Sequence, residues 1–263
     1  HFITPDNTRV YNSEVSTVDT AILVAGAMTA GEYFGGEVKQ KAETIFNNLN
    51  WTYFFDPGKK QFSHGWKPET GIFAQTWDRP SDETMLVSLM AIASKPSNIE
   101  FQKSFYSWPR VFNSYSNYSL VNSYFGSIFT YEFTHIWFDF KNLGYDSPSN
   151  ANMTANSFNW WGNTINASLA NRQFVIDNSE NYSSYGENSW GLTACQKPSG
   201  AYEGLYGAKP CEYNSGNPVH DGTICPYGSI STMPFFEKNL TKNLAFETLR
   251  NYYDKYYWDL WGD

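Results

Sequence analysis

Two shortages in this chain exclude most partners before any motif is considered: it has few basic residues and no long apolar run. Eighteen Lys and Arg stand against 26 Asp and Glu, a formal net charge of −8 with a pI near 5.0, so a phosphate backbone or an anionic membrane would be repelled. Charge therefore argues against nucleic acid as a partner. No stretch of about 18 apolar residues occurs, so no segment reads as a membrane-spanning helix. Cysteine is scarce as well. Cys195, Cys211 and Cys225 lie in one Gly/Pro-rich segment and lack the paired spacing or His neighbours of a zinc site. No metal and no other cofactor is expected; one disulfide with one thiol left over is the simplest account. Cys195 is expected to pair with Cys211, since a loop of that length closes easily, leaving Cys225 free or paired with a segment not present. An initiating Met and a charged-then-apolar leader are both missing before His1-Phe2-Ile3, and a processed or cut N-terminus is expected.

What is present is aromatic. Phe, Trp and Tyr make up 19% of the residues, more than the 17% that are charged. Sugar rings stack their C–H faces on aromatic planes, which suits a carbohydrate site, although most of these rings must be core. With 263 residues, 41% of them hydrophobic, the chain can bury a sizeable core and reads as a single domain, 1–263. Five Asn-x-Ser/Thr sequons, at Asn117, Asn152, Asn166, Asn181 and Asn239, together with a disulfide, point to a secreted or extracellular glycoprotein, periplasmic if bacterial, with at least two of the five asparagines carrying sugar.

The segment Tyr185-Gly186-Glu187-Asn188-Ser189-Trp190-Gly191 places one acid between two glycines and beside an indole. Glycine permits a tight turn that holds Glu187 in place, with Tyr185 and Trp190 as walls. An acid held against aromatic surface loses solvation and keeps its proton near neutral pH, the requirement for a general acid in glycoside hydrolysis. The bland alternative is a solvated Glu on a surface turn.

Elsewhere the pattern is helical. Ser16 caps a helix that ends at Gly35-Gly36, with Asp19 at its positive end and small residues along it, and a partner helix carries Val38, Ala42, Ile45, Phe46 and Leu49 on one face. Further helices are predicted from Ser81-Asp82-Glu83 to Ser94, over 98–108, 124–138 and 154–176, and from Leu240 to Tyr257. Residues 51–80 read as loop, and residues 195–226 as a structureless stretch acting as a lid or binding loop. Strand signals are scarce, so the fold class is all-α with long loops, and helix pairs joined in this way suggest an α/α toroid whose loops form a cleft.

Six blocks, in order, carry a resemblance: Asn12 to Ala21, Gly65 to Glu69, Ser81 to Leu86, His135 to Phe140, Tyr185 to Ala194, and Asp221 to Tyr227 with Ser231 to Phe235. Together they resemble the glucoamylase-like domain of bacterial endo-β-1,2-glucanases and cyclic β-1,2-glucan synthases. That resemblance implies an (α/α)6 toroid acting on β-linked glucan, with Glu187 as proton donor. It also implies missing sequence at both ends, since Trp261-Gly262 looks like a family block cut short, and hence association with missing segments or other chains. The cysteines and a long 195–220 segment depart from the family pattern.

A glycosidase needs a second carboxylate, and several are candidates. Asp82 or Glu83 beside the Trp77 loop, and Asp19, compete with plain helix capping; Glu14, Glu132 and Asp139 are weaker; Asp221 reaches a cleft or makes an Asx turn. Trp66, Trp77 and Trp190 are candidate sugar platforms, with Tyr185 beside them and Arg79 and Gln75 as hydroxyl partners, against core packing for each ring. His135 reads as a hydrogen-bonded core residue more readily than as a base. Two functions stand: a hydrolase of β-linked glucan, most simply β-1,2-glucan, and a catalytically silent extracellular glycan-binding or structural protein of the same fold.

Overall fold

The computed structural model describes residues 3–213, 216–236, 238–239 and 242–257. Its chain divides into two compact units, the first made of His1–Arg79, Glu83–Pro109 and Ser147–Ser157, the second of Pro80–Asp82, Arg110–Asp146 and Phe158–Asp263. Helices are the longest elements of both; the strands run to only two to four residues.

In the first unit β1 (Val15–Ser16) leads into α1 (Thr17–Phe34), where the Ser16 hydroxyl accepts the Asp19 amide at 3.2 Å as a cap. Gly35, at φ +66°, ends the helix and turns the chain straight into α2 (Gly36–Asn48). The two pack as a hairpin, and a Cβ at Gly31 would come within 3.1 Å of both Ala42 Cβ and Lys39 Cα. Small residues thus set the close approach. Residues 51–80, expected as loop, contain α3 (Trp51–Phe54) and short antiparallel strands: β2 (Phe55–Asp56) with β3 (Gln61–Phe62), and β4 (Gly65–Lys67) between β1 and β5 (Gly71–Ile72). A Cβ at Gly65 would overlap the Val15 carbonyl oxygen, so this register requires glycine there. Trp51, Phe55, Phe62 and Phe101 stack edge to face and tilted, with centroids 5.1 to 6.0 Å apart, a cluster of rings within a core that also buries Val24, Leu86 and Val87. The helix α4 (Asp82–Ser94) forms as predicted. The one expected over 98–108 is only α5 (Ile99–Ser104), capped by Asn98.

The second unit opens on the hairpin β6 (Phe112–Tyr115) and β7 (Tyr118–Val121). No α-helix follows over 124–138. Three 3-10 turns, Tyr124–Gly126, Ile128–Tyr131 and Phe133–Ile136, take its place, because Phe125 and Gly126 adopt left-handed φ of 52° and 61° that interrupt an α-helical ladder. After α6 (Phe140–Leu143), the helix expected from Thr154 starts at Asn159, whose side chain caps α7 (Trp160–Asp177). Residues 195–226 are not structureless either. They hold the hairpin β8 (Cys195–Gln196) and β9 (Tyr202–Glu203), a 3-10 turn and the fully buried Tyr206, Ala208 and Cys211. Then come α8 (Pro226–Ile230) and α9 (Leu244–Tyr252), which continues as a π-helical stretch, Tyr253–Tyr257, to the C-terminal end expected but starts later than Leu240; Leu240 and the Trp261-Gly262 block lie outside the described residues.

The disulfide joins Cys195 to Cys225, and Cys211 is the free, buried thiol. The expected Cys195–Cys211 pairing fails because Cys211 is pinned in the core: its carbonyl accepts from Ser123 N and the Tyr131 hydroxyl, each at 2.9 Å. Cys225, by contrast, is held beside the Cys195 segment by its amide bond to Gly191 O at 3.2 Å.

Candidate active site

Glu187 occupies the tip of a tight turn closed by reciprocal bonds between Gly186 and Ser189, N to O at 3.1 Å in both directions. The main chain of this turn is gripped by two helices. From α7, Arg172 Nε donates to Glu187 O at 2.9 Å, and the Asn171 amide pairs with both N and O of Leu192 at 3.1 and 3.0 Å. From α9, Thr248, Asn251 and Tyr252, at the i, i+3, i+4 spacing of one helix face, bond the indole N–H of Trp190 at 2.8 Å, the Asn188 carbonyl at 2.7 Å and the Trp190 main chain. Gly191 is the glycine this geometry demands. At φ +118°, a Cβ there would stand 2.7 Å from Ser229 N and 2.9 Å from Cys225 O. Gly186 meets no such obstacle.

The two rings flanking Glu187 do not wall it. Trp190 is 0% and Tyr185 6% exposed, both in the core with Leu192 and Ile128, whereas Glu187 itself is exposed. Buried in this way, Trp190 presents no face as a sugar platform and Tyr185 none as a substrate-binding wall: a large apolar ring beside a tight turn gains more from anchoring the turn than from lining a cleft. Among the described residues none bonds the Glu187 carboxylate.

Next to this turn in the chain, a cleft of about 350 Å³ is lined by Tyr182, Ser184, Pro198, Asp221 and Thr223, among others. Ser189 Oγ donates to Ser184 O at 2.6 Å, tying the turn to the cleft wall. The Asp221 carboxylate accepts the Tyr206 hydroxyl at 2.5 Å and the Thr223 amide at 2.9 Å. Partial burial raises its pKa, but these bonds outweigh it and leave the carboxyl below its ordinary value. Asp221 is thus an ionised, fixed acceptor, with the Asx turn and the cleft position both realised.

The first unit holds its own cleft of about 460 Å³, lined by Glu14, Ser16, Asp19, His64, Gln75 and Trp77 among others. Trp77 is half-buried, its indole N–H donating to Thr17 Oγ1 at 2.8 Å, and its ring lies 4.2 Å from that of His64. Burial lowers the pKa of His64, partly offset by the Asp78 charge. Asp19 both follows the cap and faces this cleft. Trp66 is half-buried on β4; Glu83 is half-buried in α4; Arg79 is exposed beside Asp78 at 3.6 Å.

Asp82 is 0% exposed, its carboxylate accepting the Thr134 amide at 2.7 Å and its carbonyl the Thr134 hydroxyl at 2.8 Å. These bonds tie the start of α4 to the 3-10 turns. Glu132, also buried, bonds Ser231 Oγ. Burial pushes its carboxyl well above the usual range; the Ser231 bond opposes this and the Asp82 charge adds to it. The sign follows: folding keeps the proton that the unfolded chain releases above its ordinary pKa, so this site costs stability increasingly as pH rises from there towards the folded value. Glu132→Gln, which mimics the protonated acid, should raise the melting temperature at pH 8 and leave it unchanged at pH 4; thermal melts at the two values check this. His135 is half-buried and hydrogen-bonded. Its Nε2 meets Thr164 Oγ1 at 2.9 Å, it packs edge-on against Phe140 and Phe235, and burial pushes its pKa down to about 4. Asp139 caps α6.

The sequence model of the Glycoamylase family, described as "Putative glucoamylase", matches residues 76–262. The chain belongs to this family. The match takes in the Glu187 turn, Asp221 and both gripping helices. It leaves outside the β1 and α1 segment that carries Glu14 and Asp19. An "Exo beta-1,2-glucooligosaccharide sophorohydrolase (non-reducing end)" of Parabacteroides distasonis is 24% identical over 273 residues, covering 94% of this chain and 35% of its own length. A "putative glucoamylase" of Bacteroides uniformis superposes with a TM-score of 0.74 at 20% identity, over 94% of this chain and 57% of that one. An "Endo-beta-1,2-glucanase from Chitinophaga pinensis" with sophorotriose and glucose superposes with a TM-score of 0.68 at 18% identity, over 92% and 56%. The chain therefore spans about a third of this curated relative and somewhat over half of these two solved chains. At such identities the likeness is one of fold.

Proposed function

We propose that this chain forms an (α/α)6 toroid domain of a glycoside hydrolase that cleaves β-linked glucan, most simply β-1,2-glucan in the manner of an endo-β-1,2-glucanase, by carboxylate general acid/base catalysis. The observation that carries the reading is the Glu187 turn. Its main chain is bonded by Arg172 and Asn251, while the carboxylate is left exposed. A general acid needs this combination of fixed origin and open approach. Desolvation, which Tyr185 and Trp190 do not supply, comes from the glucan laid over the turn. In the second unit Asp221 accepts a sugar hydroxyl; in the first, taken by itself, Trp77 and Trp66 offer ring faces, Arg79 hydroxyl contacts, and Asp19 and Glu83 are the candidate carboxylates. The names of the sophorohydrolase and the endo-β-1,2-glucanase support the linkage. The test is incubation of the full-length protein with linear β-1,2-, β-1,3- and β-1,4-glucans: short oligosaccharides should appear from the first. Binding without release from any of them favours the silent glycan-binding protein.

We also propose passage through an oxidising, glycosylating compartment, supported by the disulfide and the sequons. Asn117, Asn152, Asn181 and Asn239 are exposed, whereas Asn166 sits in α7 with Nδ2 donating to Ser119 O at 2.7 Å. Intact mass should fall after glycosidase treatment by at least two glycans, with Asn166 unmodified; no shift overturns the proposal.

A further inference from the structure

The turn that presents Glu187 makes few of its bonds to itself. Beyond the Gly186–Ser189 pair, its groups are satisfied by side chains from helices distant in sequence, and the densest of these contacts comes from one residue of α9. The Tyr252 hydroxyl accepts from Trp190 N at 3.1 Å and donates to Trp190 O at 2.9 Å, so a single side chain occupies both main-chain groups of the residue that anchors the turn. One turn earlier on the same face, Thr248 Oγ1 accepts the Trp190 indole N–H at 2.8 Å. Asn251 Nδ2 holds Asn188 O at 2.7 Å, and on the opposite flank Arg172 Nε holds Glu187 O at 2.9 Å. None of these atoms points at the carboxylate. Thr248 holds the Trp190 ring, and the other three hold the main chain that carries the acid.

We propose that Tyr252, with Asn251 and Arg172 in support, is a positioning residue that sets the aim of the Glu187 carboxylate from behind, so that the docking of α9 determines how well the acid is placed. This rests on Glu187 being the proton donor. A tyrosine is suited to the task because its hydroxyl is donor and acceptor at once and its ring carries only two rotatable bonds from a rigid helix, so little freedom remains for the turn to wander. Misplacing a general acid by a fraction of an ångström lowers turnover without weakening substrate binding.

The test removes the hydroxyl and keeps the ring. In Tyr252→Phe the amide hydrogen exchange of Gly186, Ser189 and Trp190 should accelerate roughly three- to tenfold, the scale of one net hydrogen bond, while amides in the middle of α7 keep their rates. With β-1,2-glucan, kcat should fall about tenfold at unchanged KM. In the Glu187→Gln background, the same substitution should cost nothing further, because there is no proton donor left to aim. Unchanged exchange in the turn overturns the proposal, as does an equal fold-loss of activity in both backgrounds. If the wild-type protein cleaves no β-glucan, the proposed activity fails and with it the aiming role, while the exchange measurement still decides whether Tyr252 holds the turn.

Discussion

Glu187→Gln lowers turnover of linear β-1,2-glucan by ~10²-fold or more, the scale of losing a general acid, while the fold and glucan binding persist. The structure makes this variant unusually clean. The Glu187 side chain is exposed and the contact formed at this residue by Arg172 is to the main-chain carbonyl, so amide for carboxyl removes the proton and leaves the turn's bonds in place. Release of oligosaccharides, followed over time for both proteins, is the measurement, with a melting curve to show that the variant is folded. Glu187→Gln as active as wild type places the proton donor elsewhere, with Glu83 and Asp19 next to be changed. A wild type that binds β-glucan and releases nothing assigns the chain to the silent class.

Asp146→Ala destabilises the protein by ~3–5 kcal/mol, the range for breaking a buried ion pair by deleting one partner. Asp146 forms a two-point contact with Arg110, Nη2 to Oδ2 at 2.8 Å and Nη1 to Oδ1 at 3.2 Å. The same two oxygens accept Phe158 N and Trp160 Nε1, each at 2.8 Å, and the guanidinium lies 5.1 Å from the Trp160 ring centre. With side-chain exposures of 4% and 10%, the pair has little water to fall back on. Truncation strands a cation, an amide and an indole N–H at the start of α7. Urea unfolding checks the loss, and Arg110→Met with Asp146→Leu, which removes both charges, should recover much of it. A loss below about 1 kcal/mol for Asp146→Ala, the range of a surface pair, refutes this account.

Much of this was legible from local chemistry. The capping Ser16, the glycines at 35 and 36 and the small residues of α1 specify a helical hairpin, because capping, chain reversal and close approach each depend on a few neighbouring residues. The motif from Tyr185 to Ala194 likewise marks the segment that presents an exposed acid. What it leaves open is the role of each member. Trp190 and Tyr185 turn inward, and Gly191 is required by Cys225 and Ser229, residues that no local pattern places against it. Asp82 has the sequence of a cap and a cleft acid alike, yet its carboxylate bonds the Thr134 amide, far along the chain, a contact that neither reading supplies. The pairing of Cys195 with Cys225 was settled by the burial of Cys211 under α7, since loop length favours nearby partners but core packing removes one of them. Helix periodicity over 124–138 was overridden by left-handed φ at Phe125 and Gly126. Composition, local capping and motif order determined that this is a helical, acidic, aromatic-rich chain carrying an acid on a turn; which rings face water, which acids keep their protons and which helices hold that turn were decided by contacts between distant segments, whose free energies exceed local preference.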